Sequence, residues 1–280
     1  MQDEIICKSC GNTFQGRFCN KCGEKVYTNH DKTFAHFAEE GFHFLTHFDS
    51  KFLRSWWLIM TKPGFVSKQI TDGVRKPYYK PLNLFLIGVI LYLLFPFFEG
   101  LNMRMQFHVN GSYQVVSRYM VKKKMETKNL TFEQLSEKFD HKSPKFAKIL
   151  LLIIIPLSGL TLQWLFYKHH RYYFDHVTLA SELNTFYLYF TFLILPLIFQ
   201  VVFLIFRTLR SDEYTYIFDL IAVPLYILTF GVYCSNAFRR FYGEKKKWTI
   251  FKSVLFLLAH SLIVYVIYKF ILFSLVLLFI

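Results

Sequence analysis

The stretch IFKSVLFLLAHSLIVYVIYKFILFSLVLLFI, residues 250–280, decides the fold class of this chain. Only Lys252, His260, Lys269 and a few hydroxyl groups interrupt its apolar side chains. A membrane-spanning helix needs about 20 mostly apolar residues, and this block of about 30 would reach roughly 45 Å as a helix. It therefore predicts a final span that tilts, projects beyond the bilayer or bends near Lys269.

Four further apolar blocks predict spans of their own. Their approximate bounds are 82–98, 146–167, 183–206 and 217–234. Each contains one proline, so kinks are expected at Pro96, Pro156, Pro196 and Pro224. Hydrophobic residues make up 54% of the chain, above the roughly 45–50% of soluble domains. The sequence predicts an all-α integral membrane protein with about five transmembrane helices over residues 81–280.

One long loop, residues 99–145, separates the first two blocks. Thr131 and Gln134 have the spacing of a capping box, which predicts that a helix begins there. We expect this helix to run to about His141 and to break at Ser143-Pro144.

Two C-x-x-C pairs near the N-terminus, Cys7 with Cys10 and Cys19 with Cys22, offer four thiolates to one tetrahedral ion. Such a closed ligand set predicts a structural zinc ion and a small four-cysteine zinc ribbon over residues 1–26. Two disulfides or a redox C-x-x-C are the alternatives. Disulfides require an oxidising compartment, and a redox motif requires a βαβ pattern that neither pair has. Thiolate ligands therefore indicate a cytosolic N-terminus.

Residues 33–80 predict an amphipathic helix followed by an elbow. The helix is expected over residues 33–60, and its charged face and its Trp56-Trp57 end favour a position in the membrane interface rather than across it. Pro63-Gly64 and Asp72-Gly73 then predict two turns with a short helix between them.

The polar face of this amphipathic helix holds a stripe of His36, Glu40, His43 and His47. These residues lie at helical spacings that can form a second metal site or a proton sensor. A solvated polar face is the alternative interpretation.

Net charge is +14, and the basic residues lie mainly between the apolar blocks. This pattern fits loop charges and anionic lipids better than nucleic acid, so the bilayer is the expected partner and no nucleic acid is expected. The densest short basic loop, with Arg239, Arg240 and 245–247, is expected to be cytosolic, the loop 99–145 extracytoplasmic and Ile280 outside. Six residues near the cytosolic face can contact anionic headgroups or serve only as ordinary loop charge: Arg75, Lys168, His169, His170, Arg171 and His176.

Several motifs together resemble a known family. They are the C-x-x-C-G pairs with Gly16-Arg17-Phe18-Cys19, the amphipathic helix, Pro63-Gly64, and Gly73-x-Arg75-x-x-Tyr78-x-x-Pro81 before the first span. The chain resembles, over residues 7–98, an uncharacterised bacterial family of multi-spanning membrane proteins with an N-terminal zinc ribbon. The resemblance implies this architecture and the bacterial cytoplasmic (inner) membrane, and it names no substrate.

Three functions are compatible with these features. The first is an adaptor or an assembly or regulatory factor, whose ribbon binds a cytosolic or membrane protein partner. The second is a transporter or channel using the polar residues inside the spans, which are Gln163, Glu182, Gln200, Asp219, His260 and Lys269. The third is a membrane enzyme acting on lipid or envelope precursors, for which no nucleophile–base spacing is found and no catalytic residue is assigned.

Overall fold

The computed structural model describes residues 4–7, 10–16, 19–21, 50–94, 101, 103–111, 113–206 and 211–280. The chain divides into two units, Met1–Ser50 and Lys51–Ile280. In the first unit, strands β1 (Ile5–Ile6) and β2 (Thr13–Phe14) pair antiparallel, with Ile5 opposite Phe14. Phe14 is buried together with Cys7 and Cys19, and these three described residues form one hydrophobic cluster.

The second unit is helical. Its α-helices are α1 (Ser50–Thr61), α2 (Phe65–Thr71), α3 (Pro81–Leu94), α4 (Met105–Val109), α5 (Gln114–Lys128), α6 (Phe132–Leu150), α7 (Ile154–Leu165), α8 (Tyr173–Leu188), α9 (Leu195–Phe206), α10 (Ser211–Tyr242), α11 (Lys246–Leu262) and α12 (Lys269–Leu278). Two 3₁₀ turns, Leu151–Ile153 and Tyr167–His169, flank α7, and π-helical segments Tyr189–Ile194 and Ile263–Tyr268 join α8 to α9 and α11 to α12.

In the part of the chain that the structure describes, three helical stretches are long and apolar enough to cross a membrane. They are Tyr173–Val202, Leu220–Tyr242 and Lys246–Leu278, of 30, 23 and 33 residues. Helices α6 and α7 meet at a bend of 46° and would add a fourth if they form one broken span. The described part of helix α3 has 14 residues, Pro81–Leu94, and this part alone is shorter than the roughly 20 residues that a span needs. The all-helical membrane architecture agrees with the sequence, whereas five spans are not established.

Helix α8 lies at the centre of the bundle. All its side chains from Thr178 to Leu188 are buried. Helix α3 approaches it closely at Gly88, where an added Cβ would lie 2.7 Å from a ring carbon of Tyr189. On α10, Tyr233 stacks on Phe186 with ring centroids 3.7 Å apart. Small residues and stacked aromatic rings thus bring the surrounding helices onto α8.

The expected interruptions of the long helices take specific forms. The last helical stretch, Lys246–Leu278, is continuous, and it contains a π-helical segment, Ile263–Tyr268, that ends immediately before Lys269. Another π-helical segment, Tyr189–Ile194, precedes Pro196. Pro224 lies within the continuous helix α10, and Pro96 lies outside the described residues. A π-helical turn changes the backbone hydrogen bonds locally from the i→i−4 to the i→i−5 pattern, and the helix continues through it.

In the loop 99–145 the structure describes α4, α5 and the start of α6. The capping box of Thr131 and Gln134 is confirmed. The expected break at Pro144 is wrong, since α6 continues to Leu150. Phe139 and Phe146, on either side of the proline, pack on Phe273 and Phe279 of the last helix and its end. Such packing stabilises the helix on both sides of the proline and offsets part of the roughly 3 kcal/mol that an internal proline costs.

Candidate metal centre and the polar sites of the helical unit

The hairpin turn of the first unit brings the first C-x-x-C pair into position. Gly11 N donates to Cys7 O, and Cys7 N donates to Asn12 O, each over 2.9 Å. Gly11 has φ of 71°, a left-handed conformation that glycine adopts without steric cost. The glycine that follows the first cysteine pair therefore makes the tight turn between the two strands.

The sulfur atoms of Cys7, Cys10 and Cys19 lie within 4.8 Å of one another. The Cys10 and Cys19 Sγ atoms are 3.7 Å apart. Ligands on a tetrahedral ion with bonds of about 2.3 Å are separated by about 3.8 Å, whereas a disulfide bond is about 2.05 Å long. The three cysteines can hold a metal ion, and their spacing fits a tetrahedral ligand set. Cys22 lies outside the described residues.

The surroundings of this centre suit thiolate ligands. Cys7 and Cys19 are buried and Cys10 is exposed. The Asn12 side-chain amide lies 3.9 Å from Cys19 Sγ and donates to Asn20 Oδ1 over 2.7 Å. An N–H group near a ligand sulfur stabilises its negative charge and orients the ligand. Asn12 thus supports the site from the turn between the strands, a role that spacing alone does not reveal.

The predicted stripe of His36, Glu40, His43 and His47 lies outside the described residues. The amphipathic helix predicted over residues 33–60 is described from Ser50 onward, as α1. Within α1, Phe52, Ser55 and Ile59 are buried, while Trp57 is exposed.

Three of the six predicted headgroup residues contact the end of α10. Arg171 Nη2 donates to Phe241 O over 3.1 Å, and its guanidinium lies 4.4 Å from the Phe241 ring centroid. His176 Nδ1 is 2.7 Å from the Tyr242 hydroxyl. His169 Nε2 is 2.9 Å from Glu244 Oε1. These polar groups therefore join residues 169–176 to the end of α10 and the residues after it. Lys168 and His170 are exposed.

Glu244, just after the end of α10, links these segments. Its Oε1 accepts hydrogen bonds from His169 and from Lys252 Nζ. Partial burial alone would raise the pKa of Glu244, but the hydrogen bonds from Lys252 and His169 outweigh it and hold this pKa below its ordinary value. The carboxylate is therefore charged at neutral pH and neutralises part of the basic cluster.

Arg75, the remaining predicted headgroup residue, lies elsewhere. It lines a crevice beside Phe174 and Thr178, which the helical period places on the side of α8 opposite His176. Its Nε approaches Ile70 O at 3.4 Å. The predicted cluster is thus divided between two faces of α8.

Glu182 is fully buried where α8 meets the elbow. Its Oε2 accepts a hydrogen bond of 2.7 Å from Ser67 N, and Ser67 Oγ donates to Thr178 O over 3.1 Å. Gly64, at the start of α2, has φ of 70°, and a Cβ there would lie 2.8 Å from Ala237 O. The short helix between the two predicted turns is therefore held between α8 and α10. Ser67 carries no sequence signal for this role.

The other polar residues predicted inside spans have separate surroundings. His260 Nε2 lies 3.0 Å from Asn184 Oδ1 in a fully buried position. Lys269 Nζ lies 2.7 Å from Met103 Sδ and 4.9 Å from the Tyr265 ring centroid. Gln163 and Gln200 are exposed, and the side chain of Asp219 is outside what the structure describes. These residues do not form one cluster within the described part of the chain.

The comparison with known protein families finds a match in a segment that includes the elbow. A family model described as "Protein of unknown function (DUF3667)" matches residues 49–93. These residues comprise α1, α2, the second turn and most of α3. No curated protein and no solved structure matches the chain. The segment that packs on α8 and α10 is therefore similar to a family of unknown function, and the cysteine hairpin lies outside the matched residues.

Proposed function

We propose that this protein is an integral protein of the bacterial inner membrane whose N-terminal ribbon binds one structural zinc ion and docks a protein partner. On this proposal it acts as an adaptor or as an assembly or regulatory factor. The observation that carries the proposal is the cysteine cluster, with Cys10 and Cys19 sulfurs 3.7 Å apart. With Cys22 as fourth ligand, the coordination shell is closed, so the metal stabilises a binding surface and leaves no position for a substrate.

Zinc is the metal that best suits this ligand set. Thiolates are soft ligands that favour zinc over magnesium or calcium, and a reducing cytosol keeps them unoxidised. Among the described residues of the hairpin, the buried core consists of Cys7, Phe14 and Cys19. Two of these three residues are ligands of the proposed ion, so the binding energy of the metal contributes directly to the stability of the hairpin.

The proposed orientation has the ribbon and residues 239–247 in the cytosol and the loop 99–145 outside. Two contacts within the helical unit support the sets of segments that this orientation assigns to the same side of the membrane. Arg240 Nη1 donates to Pro63 O, so the elbow and the basic end of α10 lie together. Lys142 Nζ donates to Phe279 O over 2.7 Å, so the loop 99–145 lies beside the end of α12. The dense basic segment then follows the positive-inside rule.

An experiment on the full-length chain tests the adaptor function. The protein is cross-linked in living cells, purified from membranes in detergent, and compared with Cys10→Ser and with the control Cys234→Ser. Cys234 is buried in α10, outside the ribbon. We expect a stoichiometric protein partner that is lost with Cys10→Ser and kept with Cys234→Ser. A partner retained by both variants, or transport or lipid turnover that is unaffected by Cys10→Ser, would contradict the proposal.

A further inference from the structure

A crevice of about 290 Å³ opens between the elbow, the start of α3 and the first turns of α8. Its walls are mainly apolar and include Ile70, Leu82, Phe174 and Val177. Arg75 and Lys80 line it from the second turn of the elbow. Its volume is at the lower end of the range of small-molecule pockets, roughly 300–1,000 Å³. It combines an apolar interior with two cations.

The two cations are available for a ligand. Both side chains are exposed, and neither forms an ion pair with a carboxylate among the residues that the structure describes. The contact of Arg75 Nε with Ile70 O is long, at 3.4 Å. Arginine presents a planar set of donors that fits phosphate, and lysine adds a point charge. The arrangement therefore favours a phosphate-bearing ligand.

An apolar stripe leads away from the crevice along α3. Leu82, Leu86, Ile90 and Leu94 recur every four residues and are 42%, 37%, 57% and 66% exposed. The twelve-residue rise from the first to the last corresponds to about 18 Å. One leaflet of the hydrocarbon core is about half of roughly 30 Å. The stripe is thus long enough for an acyl chain that begins at the crevice and crosses one leaflet.

We propose that the crevice binds one anionic phospholipid, with its phosphate between Arg75 and Lys80 and an acyl chain along the exposed stripe of α3. Charge complementarity and the length of the stripe favour a lipid over a soluble phosphate, which would leave the apolar surface uncovered. Tyr78, which also lines the crevice, suits the headgroup level, where tyrosine is enriched. This inference rests on membrane insertion of the proposed function and is independent of the ribbon and its partner.

Native mass spectrometry of the full-length protein in detergent, titrated with phosphatidylglycerol or phosphatidylcholine, tests this site. The test variant is Arg75→Gln/Lys80→Gln. The matched control is Lys122→Gln/Lys123→Gln, which removes two exposed charges from α5. We expect one phosphatidylglycerol to bind at least about 10-fold tighter than phosphatidylcholine, and the test variant to lose this preference while the control keeps it. A tenfold change corresponds to about 1.4 kcal/mol.

Three other outcomes would overturn the proposal. Equal losses in both double variants would indicate a general charge effect. Equal binding of the two lipids would exclude recognition of the anionic headgroup. Displacement of the lipid by inorganic phosphate alone would identify a soluble-phosphate site. Arg75→Lys/Lys80→Arg preserves the charge and should retain binding, and Lys80→Gln alone completes the test if the double variant does not fold. Cys10→Ser should leave lipid binding unchanged, which separates this test from that of the ribbon.

Discussion

The backbone N–H of Ser67 donates to Glu182 over 2.7 Å, although 115 residues separate them in sequence. This bond joins the elbow to the central helix α8 in a fully buried position. It connects the segment that matches a family of unknown function to the centre of the bundle.

Replacing Glu182 should destabilise the helical unit. Glu182→Leu removes the acceptor and leaves the buried Ser67 N–H without it, which costs about 1–3 kcal/mol. Glu182→Gln keeps an acceptor oxygen and should cost less. Thermal unfolding in detergent measures the difference, and Glu137→Leu on the exposed face of α6 is the control. Equal midpoints for Glu182→Leu and the control would show that the bond contributes nothing.

Gly64→Ala should destabilise more than Gly73→Ala. Both glycines have positive φ, 70° and 99°, so each alanine adds backbone strain of about 1–3 kcal/mol. Only at Gly64 does the new Cβ also meet a backbone atom, Ala237 O at 2.8 Å, whereas nothing lies within 4 Å of the corresponding position at Gly73. Comparing the unfolding midpoints of the two variants separates the cost of backbone strain from the cost of the steric clash with Ala237 O. An equal loss at both positions would argue against close packing of the elbow on α10.

Metal analysis of the purified chain should find about one zinc ion per molecule. Cys10→Ser should release it and make the N-terminal hairpin sensitive to protease, because two of the three buried residues described in its core are ligands of the metal. The control Cys234→Ser should retain the metal. Much less than one zinc ion in the unmodified chain, with none lost during preparation, would refute the zinc site.

Stability should fall as pH decreases from about 6.5 to about 4, in part through His108. Burial and the nearby Lys269 charge lower the pKa of His108 from 6.5 to about 4. Between these pH values the unfolded state binds a proton that the folded state does not. The free energy of unfolding therefore decreases as the pH falls, and this loss of stability is complete below about pH 4. His108→Gln should flatten this dependence and the exposed His141→Gln should not. Identical pH profiles for the two variants would contradict the assignment.

The proposed orientation predicts which positions a membrane-impermeant thiol reagent can reach. Single cysteines replace Ser112, Ser211 or Lys245 in a chain that also carries Cys234→Ser, and intact cells or spheroplasts are labelled. Ser112→Cys and Ser211→Cys should react, and Lys245→Cys and the ribbon cysteines of the parent chain should not. The reverse pattern would place the ribbon outside and revive the disulfide alternative.

The sequence by itself determined the local features of this protein. Apolar blocks predict helices because a bilayer requires internally satisfied backbone groups, and the Thr131 capping box marks the start of α6 because its signal lies within four residues. The C-x-x-C spacing brings Cys7 and Cys10 together through a single turn. Each of these signals lies within a short stretch of chain.

Only the tertiary structure decided which polar groups meet. His169, Arg171 and His176 look like one basic cluster with Arg75 in sequence, yet packing turns the first three toward the end of α10 and leaves Arg75 at the crevice. From the sequence, Pro144 predicts a helix break. In the structure the helix continues, and Phe139 and Phe146 pack on Phe273 and Phe279 near the end of the chain. The physical reason is the same in each case. Burial and hydrogen bonding between distant segments outweigh local propensity, and no local pattern records which segments will meet.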